Sequence, residues 1–492
     1  MNNHSVKNSV ECWDCFELRL KGPNSGNPYV DITWNVTFHH ESREVKVMGF
    51  YAGREEYAAR FMPDEIGEWT YETSSDCIEL NGVTGSFTCT ASSSGNHGPV
   101  RVTHDERFAY ADSTPYHPFG TTAYAWIHQP EELYTATLQT LKNNVFNKIR
   151  MCLLPKNYSF NAQEPELYPF EGAPQEGFDT SRFNPAFWDH LDRCIEALLK
   201  LGIEADIILF HPYDKGRWGF DVMGSKADDL YLRYAIARLS AYRNIWWAMA
   251  NEYDFMKEMT MSDWDRLISI ASNEDPHQHL LSIHNGTGMY EPGSIFMYDH
   301  TRPEITHCSI QHWDVTLVTE WRKQYGKPVI VDECGYEGNL PQRWGNLSAG
   351  EMTHRVWESF ARGGYTTHGE TYLHPQDEIW WAKGGALFGC SKDQIGFLRD
   401  IVDKAPNGLR PFSIPRDAPM MGIENEYYLY YYGQHQPGYR EFELREDKEF
   451  IVDWIDTHKM TITTLETTYQ GTCRIPLPGR PYFALRIRCK EE

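Results

Sequence analysis

Two glutamates of this 492-residue chain each follow a short apolar run. Residues 245–250 lead into Asn251 and Glu252, and residues 328–332 lead into Glu333. Short apolar runs rich in β-branched and aromatic side chains are typical of buried strands. Each run would therefore deliver a carboxylate to the edge of a sheet.

Two carboxylates that flank one bond can hydrolyse a glycosidic linkage. One carboxyl group must keep its proton to protonate the leaving oxygen, while the other must be ionised to attack the anomeric carbon or to position water. We therefore predict that Glu252 and Glu333 are catalytic. Glu370 is a rival for a catalytic role, and either of the first two glutamates alone would be compatible with a salt bridge at a sheet rim.

The region between about residues 106 and 410 alternates strands with helices. Eight strands are predicted, ending near residues 122, 151, 210, 250, 284, 311, 333 and 368. This count matches a (β/α)8 barrel, in which the carboxyl ends of all strands face one mouth. Glu252 would end strand four and Glu333 strand seven, across the mouth from each other. A doubly wound open sheet is the alternative, but no Gly-rich phosphate turn follows the first strand.

Other residues near the predicted mouth are suited to holding a sugar. Asn251 could hydrogen-bond a sugar hydroxyl, and Arg150 could keep the nucleophile ionised by charge pairing. Trp126 and Trp381 are candidate platforms for stacking on a sugar ring. The remaining substrate-binding candidates are His211, His284, Asn285, His312 and Glu370.

Strand patterns flank the central region on both sides. Residues 1–105 alternate polar and apolar side chains between turns, which indicates an antiparallel β-sandwich, and residues 413–492 return to strand patterning. The predicted fold is multidomain α/β, a TIM (β/α)8 barrel over residues 106–412 flanked by an N-terminal β-sandwich and a small C-terminal β-sandwich.

The composition of the chain argues against some classes of binding partner. The formal net charge of −23 argues against binding to nucleic acid or to an anionic membrane, because both need clustered Lys and Arg. No apolar stretch reaches the roughly eighteen residues of a transmembrane helix. Aromatic residues make up 14% of the chain, which suits a carbohydrate substrate. Homo-oligomerisation is left open.

Motifs for a metal, a cofactor or export are not found. The 20 histidines contain no His-Glu-x-x-His, and Cys12 and Cys15 form a C-x-x-C pair with no second pair at zinc-site spacing. We predict no metal and no cofactor. The eleven cysteines are expected to be structural thiols in a reducing compartment. Residues 1–7 lack the apolar core of a secretory signal, so a cytoplasmic location is expected.

The two strand-terminal glutamates resemble those of the clan A glycoside hydrolases. That clan consists of retaining enzymes on (β/α)8 barrels, and the resemblance implies Glu252 as general acid/base and Glu333 as nucleophile. It also places Arg150, His211, Asn251 and His312 near supporting positions, in addition to their prediction from the residues themselves. The chain departs from the clan at residues 311–313, which read Gln-His-Trp where many relatives carry His-x-Tyr. The tyrosine that usually contacts the nucleophile is therefore not assignable.

A closer resemblance covers nearly the whole chain. Residues 49–53, 60–63, 67–71 and 96–100 are similar to the β-sandwich that precedes many bacterial glycoside hydrolases. Residues 118–126 resemble the start of the barrel in the apiosidase-like group.

The leading hypothesis is a retaining glycosidase that cleaves an oligosaccharide or small glycoside by double displacement. Exo action is expected, with the insert at residues 155–179 closing one end of the pocket. A noncatalytic carbohydrate-binding protein on an inherited barrel is the alternative, and a lyase or isomerase on the same barrel is a third hypothesis.

Overall fold

The computed structural model describes residues 8–290, 297–412 and 417–490. Residues 1–7, on which the prediction about a secretory signal rests, lie outside the described residues, as does residue 413 at the predicted start of the third domain. Within the described ranges no helix has the length and hydropathy that a membrane-spanning segment needs. All eleven cysteines are free thiols, as the sequence predicts.

The amino-terminal region folds into two sheets that share one core. Its strands are β1 Ser9–Glu11, β2 Phe16–Lys21, β3 Trp34–His40, β4 Arg43–Met48, β5 Phe50–Gly53, β6 Glu56–Phe61, β7 Gly67–Ser75 and β8 Thr84–Thr90, with the short helix α1 Pro28–Asp31. The sheet orders are β1-β8-β7-β3-β4 and β2-β6-β5. Alternate residues of β3 point inward, and Phe16 of one sheet stacks on Phe87 of the other at 3.9 Å between ring centroids. The period-two pattern of the sequence therefore builds a sandwich core.

A hairpin leads into the central α/β segment, which spans residues 120–403. The hairpin strands are β9 Val100–Val102 and β10 Phe108–Tyr110. The strands of the central segment are β11 Gly120–Thr122, β12 Lys148–Cys152, β13 Phe170–Ala173, β14 Gly177–Phe183, β15 Glu204–Phe210, β16 Ile245–Ala250, β17 Leu280–Ser282, β18 Cys308–Gln311, β19 Val329–Glu333, β20 Glu337–Gly338, β21 Tyr365–Thr366 and β22 Glu370–Thr371. Its helices are α2 Glu131–Lys142, α3 Pro185–Lys200, α4 Ser225–Leu239, α5 Met261–Glu274, α6 Val318–Tyr325, α7 Ala349–Ala361, α8 Trp380–Lys383 and α9 Ser391–Asp403.

A strand occurs at each of the eight predicted places, and all of their pairings are parallel. Five strands form the sheet β11-β12-β15-β16-β17, and three form the sheet β18-β19-β21. Isolated parallel bridges join the two sheets at both junctions, between His284 and Ser309 and between Thr121 and His368. Strands β15 and β16 are buried along their whole length, which explains why their sequences read as continuous apolar runs.

Sequence signals also explain where the connecting helices begin. The Asn184 side chain accepts a hydrogen bond from the Ala186 N–H at the start of α3, and Pro185 occupies the first turn. Thr260 and Asp263 form a reciprocal capping box at the start of α5. These caps fix the points at which the chain leaves each loop and turns back along the sheet.

The carboxyl-terminal region is a second sheet-rich unit. Its strands are β23 Arg410–Phe412, β24 Met420–Ile423, β25 Tyr427–Tyr431, β26 Tyr439–Glu443, β27 Phe450–Asp456, β28 Thr461–Thr464, β29 Thr472–Pro476 and β30 Phe483–Cys489. Six form the sheet β23-β24-β25-β30-β27-β28, and β26 pairs with β29. Tyr431 connects this unit to α7, because its hydroxyl hydrogen-bonds His354 at 2.9 Å and its ring stacks on Trp357.

Four charged side chains lie inside the parallel strands. Lys148 donates to Asp206 at 2.6 Å and to Asp332 at 3.0 Å, and Arg150 lies beside the same two carboxylates. The cations hold the pKa of the Asp332 carboxyl below its usual range despite its burial. Two positive and two negative charges thus balance between strands of the two parallel sheets, which makes their burial tolerable.

Substitution of Lys148 by Met is expected to lower the free energy of unfolding by about 3–5 kcal/mol, because two buried carboxylates would share one remaining cation. Urea denaturation followed by tryptophan fluorescence measures the change. Lys21→Met is the matched control, since Lys21 is a half-exposed lysine with a surface ion pair, and we expect its effect to stay within about 0.5 kcal/mol. A Lys148→Met protein as stable as this control would contradict the charge-balance account.

Candidate active site

Glu252 and Glu333 lie at the carboxyl ends of β16 and β19, as the sequence predicts. Glu333 is the last residue of β19, and Glu252 is the second residue after β16, in a left-handed conformation with φ +52°. Only 6% of Glu252 and 5% of Glu333 are exposed. A non-glycine residue in this region of the Ramachandran plot carries strain of roughly 1–3 kcal/mol, which proteins tend to keep where function requires it.

Each glutamate is held by a tyrosine hydroxyl. The Tyr124 hydroxyl donates to Glu333 Oε1, and the Tyr213 hydroxyl donates to Glu252 Oε2. Tyr124 follows β11, and Tyr213 follows β15, so the two tyrosines come from different strand ends. The four side chains therefore converge from four strands of the central segment.

Asn251 is also part of this arrangement. Its Oδ1 accepts a hydrogen bond from Arg150 Nη2 at 3.1 Å and lies 3.4 Å from the Tyr124 hydroxyl. Arg150 itself lies against Asp206 and Asp332 inside the strands. The predicted charge pairing of Arg150 with the nucleophile is therefore not a direct contact. Among the described residues its ion pairs are with the two aspartates, and it acts on Glu333 through the longer-range attraction between their charges.

The two glutamates occupy different electrostatic environments. Burial and the charge of Glu333 raise the pKa of Glu252 to about 7, against the opposing effect of Lys156 and the Tyr213 hydrogen bond. Burial also raises the pKa of Glu333, but the Tyr124 hydrogen bond and the charges of Lys156 and Arg150 oppose that rise. At neutral pH the pair can thus hold one proton and one negative charge.

Three further predicted residues hold the loops around the pair. His211 hydrogen-bonds the Leu154 carbonyl at 3.1 Å, and its Nδ1 accepts the Tyr213 N–H at 3.2 Å. The Asn285 amide exchanges hydrogen bonds with the backbone of Gln311, at 3.1 and 3.2 Å. His312 Nδ1 accepts the Asp314 N–H at 3.0 Å.

His284 differs from the other predicted histidines. It is fully buried, and neither ring nitrogen has a hydrogen-bond partner within the described part of the chain. Burial and the charge of Arg150 hold its pKa well below the usual range, so the ring is neutral.

The two tryptophans predicted to stack on a sugar lie in different surroundings. Trp381 lies in an aromatic cluster beside the tyrosine that holds Glu333, with ring centroids 5.6 Å from Tyr124 and 4.9 Å from Trp344. Trp126 instead lies in the hydrophobic core, where its ring stacks on Tyr134 of α2 and its N–H points to Met151 Sδ at 3.1 Å. The prediction that Trp126 stacks on a sugar is corrected, because the turn after β11 directs that ring toward α2.

Glu370 anchors a loop. Its carboxylate accepts the N–H groups of Phe388 at 2.6 Å and Gly389 at 2.8 Å, and burial raises its pKa to about 7. Among the described residues it forms, with Glu337 and His368, a group whose potential metal-ligand atoms lie within 4.8 Å of one another. The Glu337 carboxylate already accepts four hydrogen bonds, from Tyr372, Cys390 and Ser391, which favours a role in holding the loop over a role as a metal ligand.

Reasoning from the sequence missed Tyr124, Tyr213 and Lys156. Tyr124 lies within the same run as Trp126, and Tyr213 lies two residues after His211. The signal available for the two tyrosines was their position just past predicted strand ends, where α/β folds place functional side chains. Because only tryptophans were considered as aromatic site residues, the prediction did not include these two tyrosine hydroxyl donors.

Three family models match three separate parts of the chain. Residues 103–404 match the family described as "Apiosidase-like, catalytic domain". Residues 9–76 match "Domain of unknown function (DUF5060)", and residues 416–488 match "Domain of unknown function (DUF5605)". A comparison with curated proteins finds no match.

Solved structures point the same way. A crystal structure from Bacteroides vulgatus ATCC 8482, described as that of a candidate glycoside hydrolase, is 42% identical and covers 98% of this chain and 100% of its own, with a TM-score of 0.92. A family 5 glycoside hydrolase from the same organism is 16% identical, covers 80% of this chain and 93% of its own, and has a TM-score of 0.59, which shows likeness of fold. Because the catalytic-domain model matches more than half of the chain, the protein belongs to the apiosidase-like family of glycosidases.

Proposed function

We propose that this protein is a retaining glycoside hydrolase in which Glu333 is the nucleophile and Glu252 is the general acid/base. The observation that carries the proposal is the pair of buried glutamates at the ends of β16 and β19. Each glutamate accepts a hydrogen bond from a tyrosine hydroxyl. Functional carboxylates are typically buried and have a hydrogen-bond donor that stabilises their negative charge.

We also infer that the two parallel sheets form a (β/α)8 barrel. Eight parallel strands and the bridges at both sheet junctions support this inference. The domain division at residues 1–105, 106–412 and 413–492 is supported by the change from mostly antiparallel sheets to parallel strands and back. In a barrel, the ends of strands four and seven meet at one mouth.

In the first step, a Glu333 oxygen forms a bond to the anomeric carbon while the bond to the leaving oxygen breaks. The Glu252 proton passes to that leaving oxygen, so the leaving group departs as a neutral alcohol. The Tyr124 hydroxyl and the nearby cations favour the ionised form of Glu333 that this attack needs. Burial keeps the proton on Glu252.

In the second step, Glu252 takes a proton from water as the water oxygen attacks the anomeric carbon and Glu333 leaves. Once Glu333 is esterified its negative charge is gone, and the repulsion that raised the pKa of Glu252 disappears with it. Glu252 is then a carboxylate able to act as the base. Glu252 thus acts as the acid in the first step and as the base in the second.

The surroundings of the pair support exo action on a small glycoside or the end of an oligosaccharide. Tyr158 and Phe160 belong to the insert after β12, and their rings lie 5.3 and 5.7 Å from that of Trp381. An insert that packs over one side of the mouth favours a pocket over an open cleft. Trp381 remains the candidate platform for the sugar ring, and Asn251 the candidate partner for a hydroxyl.

Substitution of Glu333 by Gln should lower kcat on the order of 10³-fold or more, because the amide cannot act as the nucleophile. Glu252→Gln should cost about 10²–10⁴-fold on glycosides with poor leaving groups and less on activated aryl glycosides, which need little protonation. Release of reducing sugar from a panel of aryl glycosides and oligosaccharides measures both effects.

The matched control is Glu274→Gln, which removes a carboxylate from a half-exposed ion pair with Arg233 on α4. Wild-type activity is expected for this variant. Full activity in Glu333→Gln would sink the assignment of the nucleophile, and a wild-type protein that binds sugars without hydrolysing any of them would favour a noncatalytic carbohydrate-binding protein.

The pH dependence of kcat/KM should show an alkaline limb near pH 7. Glu252 must be protonated to act as the acid, and its raised pKa of about 7 means that the proton is present below that pH and is lost as the pH rises. Initial rates across pH 4–10 on a substrate with a poor leaving group measure this limb. A wild-type rate that stays level to pH 9 would argue against Glu252 as the acid.

A further inference from the structure

A buried lysine lies among aromatic rings beside the catalytic pair. Lys156 is on the loop after β12 and is 2% exposed. Its ammonium lies over four rings, with distances to the ring centroids of 3.5 Å for Tyr124, 4.1 Å for Tyr213, 4.7 Å for Tyr158 and 5.4 Å for Trp381. A cation is attracted to the face of an aromatic ring, and a desolvated site strengthens this attraction.

The two nearest rings are those that hold the catalytic glutamates. Tyr124 donates to Glu333 and Tyr213 donates to Glu252, so the ammonium lies between the two tyrosines that hold the pair. The ammonium therefore lies close to the hydrogen-bond donors of both catalytic glutamates.

The loop that carries Lys156 is held from both sides. Asn161 Nδ2 donates to the Lys156 carbonyl at 2.7 Å, and the Asn157 N–H donates to the Tyr213 carbonyl at 2.6 Å. Gln129 in turn donates to Asn161 Oδ1 at 3.1 Å. The ammonium is therefore placed by the backbone around it and not only by its own side chain.

The other titratable groups that face this region are either neutral or already paired with an opposite charge. The positive charge of Lys156 is therefore balanced by the negative charge of the catalytic pair. Arg150 is matched, together with Lys148, by Asp206 and Asp332. Burial lowers the pKa of His211 to about 4 and raises that of Cys152 to about 12, so both are neutral at pH 7. Burial likewise keeps the hydroxyls protonated, since it raises their pKa values well above the usual range; they belong to Tyr124, Tyr158, Tyr213 and Tyr336.

We propose that Lys156 is a positioning residue whose ammonium, set between Tyr124 and Tyr213, supplies the positive charge that lets Glu333 ionise while Glu252 keeps its proton. This inference rests on the proposed roles of the two glutamates. Two buried carboxyl groups with no cation nearby would favour the doubly protonated form, in which neither can attack. With one cation the singly ionised pair is electrically balanced.

The alternative is that Lys156 only packs the aromatic cluster. Lys156→Met keeps the length and the apolar stem of the side chain and removes the charge, whereas Lys156→Arg keeps the charge. Lys327→Met is the matched control, because Lys327 is a partly buried lysine that donates to the Arg302 and Ile305 carbonyls before β19, away from the pair.

The first measurement reads the pair without using activity. Carbon-13 NMR of protein labelled at the glutamate carboxyl carbons gives the titration midpoints of Glu252 and Glu333, with their signals assigned from Glu252→Gln and Glu333→Gln. In Lys156→Met both midpoints should rise by about 1 pH unit or more, because a lost positive charge disfavours the carboxylate form. Lys156→Arg should restore them, and Lys327→Met should leave them unchanged.

The second measurement is the pH profile of kcat/KM on a glycoside that the wild type hydrolyses. Both limbs should move to higher pH in Lys156→Met by the same amount as the NMR midpoints. Unmoved midpoints, or a loss of activity that is uniform across pH and is not rescued by Lys156→Arg, would overturn the inference. A shift of the midpoints in a protein whose Glu333→Gln variant remains fully active would instead leave the coupling of Lys156 to the pair intact and overturn the proposed function.

Discussion

Two carboxyl groups buried close to each other cannot both be ionised at low cost, and the site is built around that repulsion. Taken alone, burial would keep both Glu252 and Glu333 protonated. The tyrosine hydroxyls and the cations nearby offset this effect unequally. We propose that one group therefore holds a proton beside one that ionises, which is the state that acid-assisted cleavage of a glycosidic bond needs.

This arrangement depends on a second balance deeper in the strands. Lys148, Arg150, Asp206 and Asp332 compensate one another among the parallel strands, so the central segment can carry buried charge without an excess of either sign. Arg150 also orients Asn251, the residue before Glu252, through a hydrogen bond of 3.1 Å to its amide oxygen. The stability of the strands and the geometry of the site thus share the same side chains.

Much of this could be predicted from the sequence where a pattern repeats. Strands β15, β16 and β19 were predictable because each contains an apolar run of strand length, and Glu252 and Glu333 because each follows such a run. Irregular turns have no repeating pattern from which the direction of a side chain could be predicted. In the turn after β11 the sequence does not reveal that Tyr124 faces the mouth while Trp126 enters the core. The partners of Arg150 and the surroundings of Lys156 depend on contacts between residues distant in the chain, which spacing along the chain does not encode.

The central claim is that Glu333 forms a covalent bond to the sugar, and trapping that intermediate tests it most directly. The protein would be incubated with the 2-deoxy-2-fluoro analogue, carrying a good leaving group, of the aryl glycoside that it hydrolyses best. Peptide mass spectrometry would then locate the label. The account predicts one fluoroglycosyl group on Glu333 and a matching loss of activity. A label on another carboxylate, such as Glu370, or turnover with inversion at the anomeric carbon and no adduct, would contradict it.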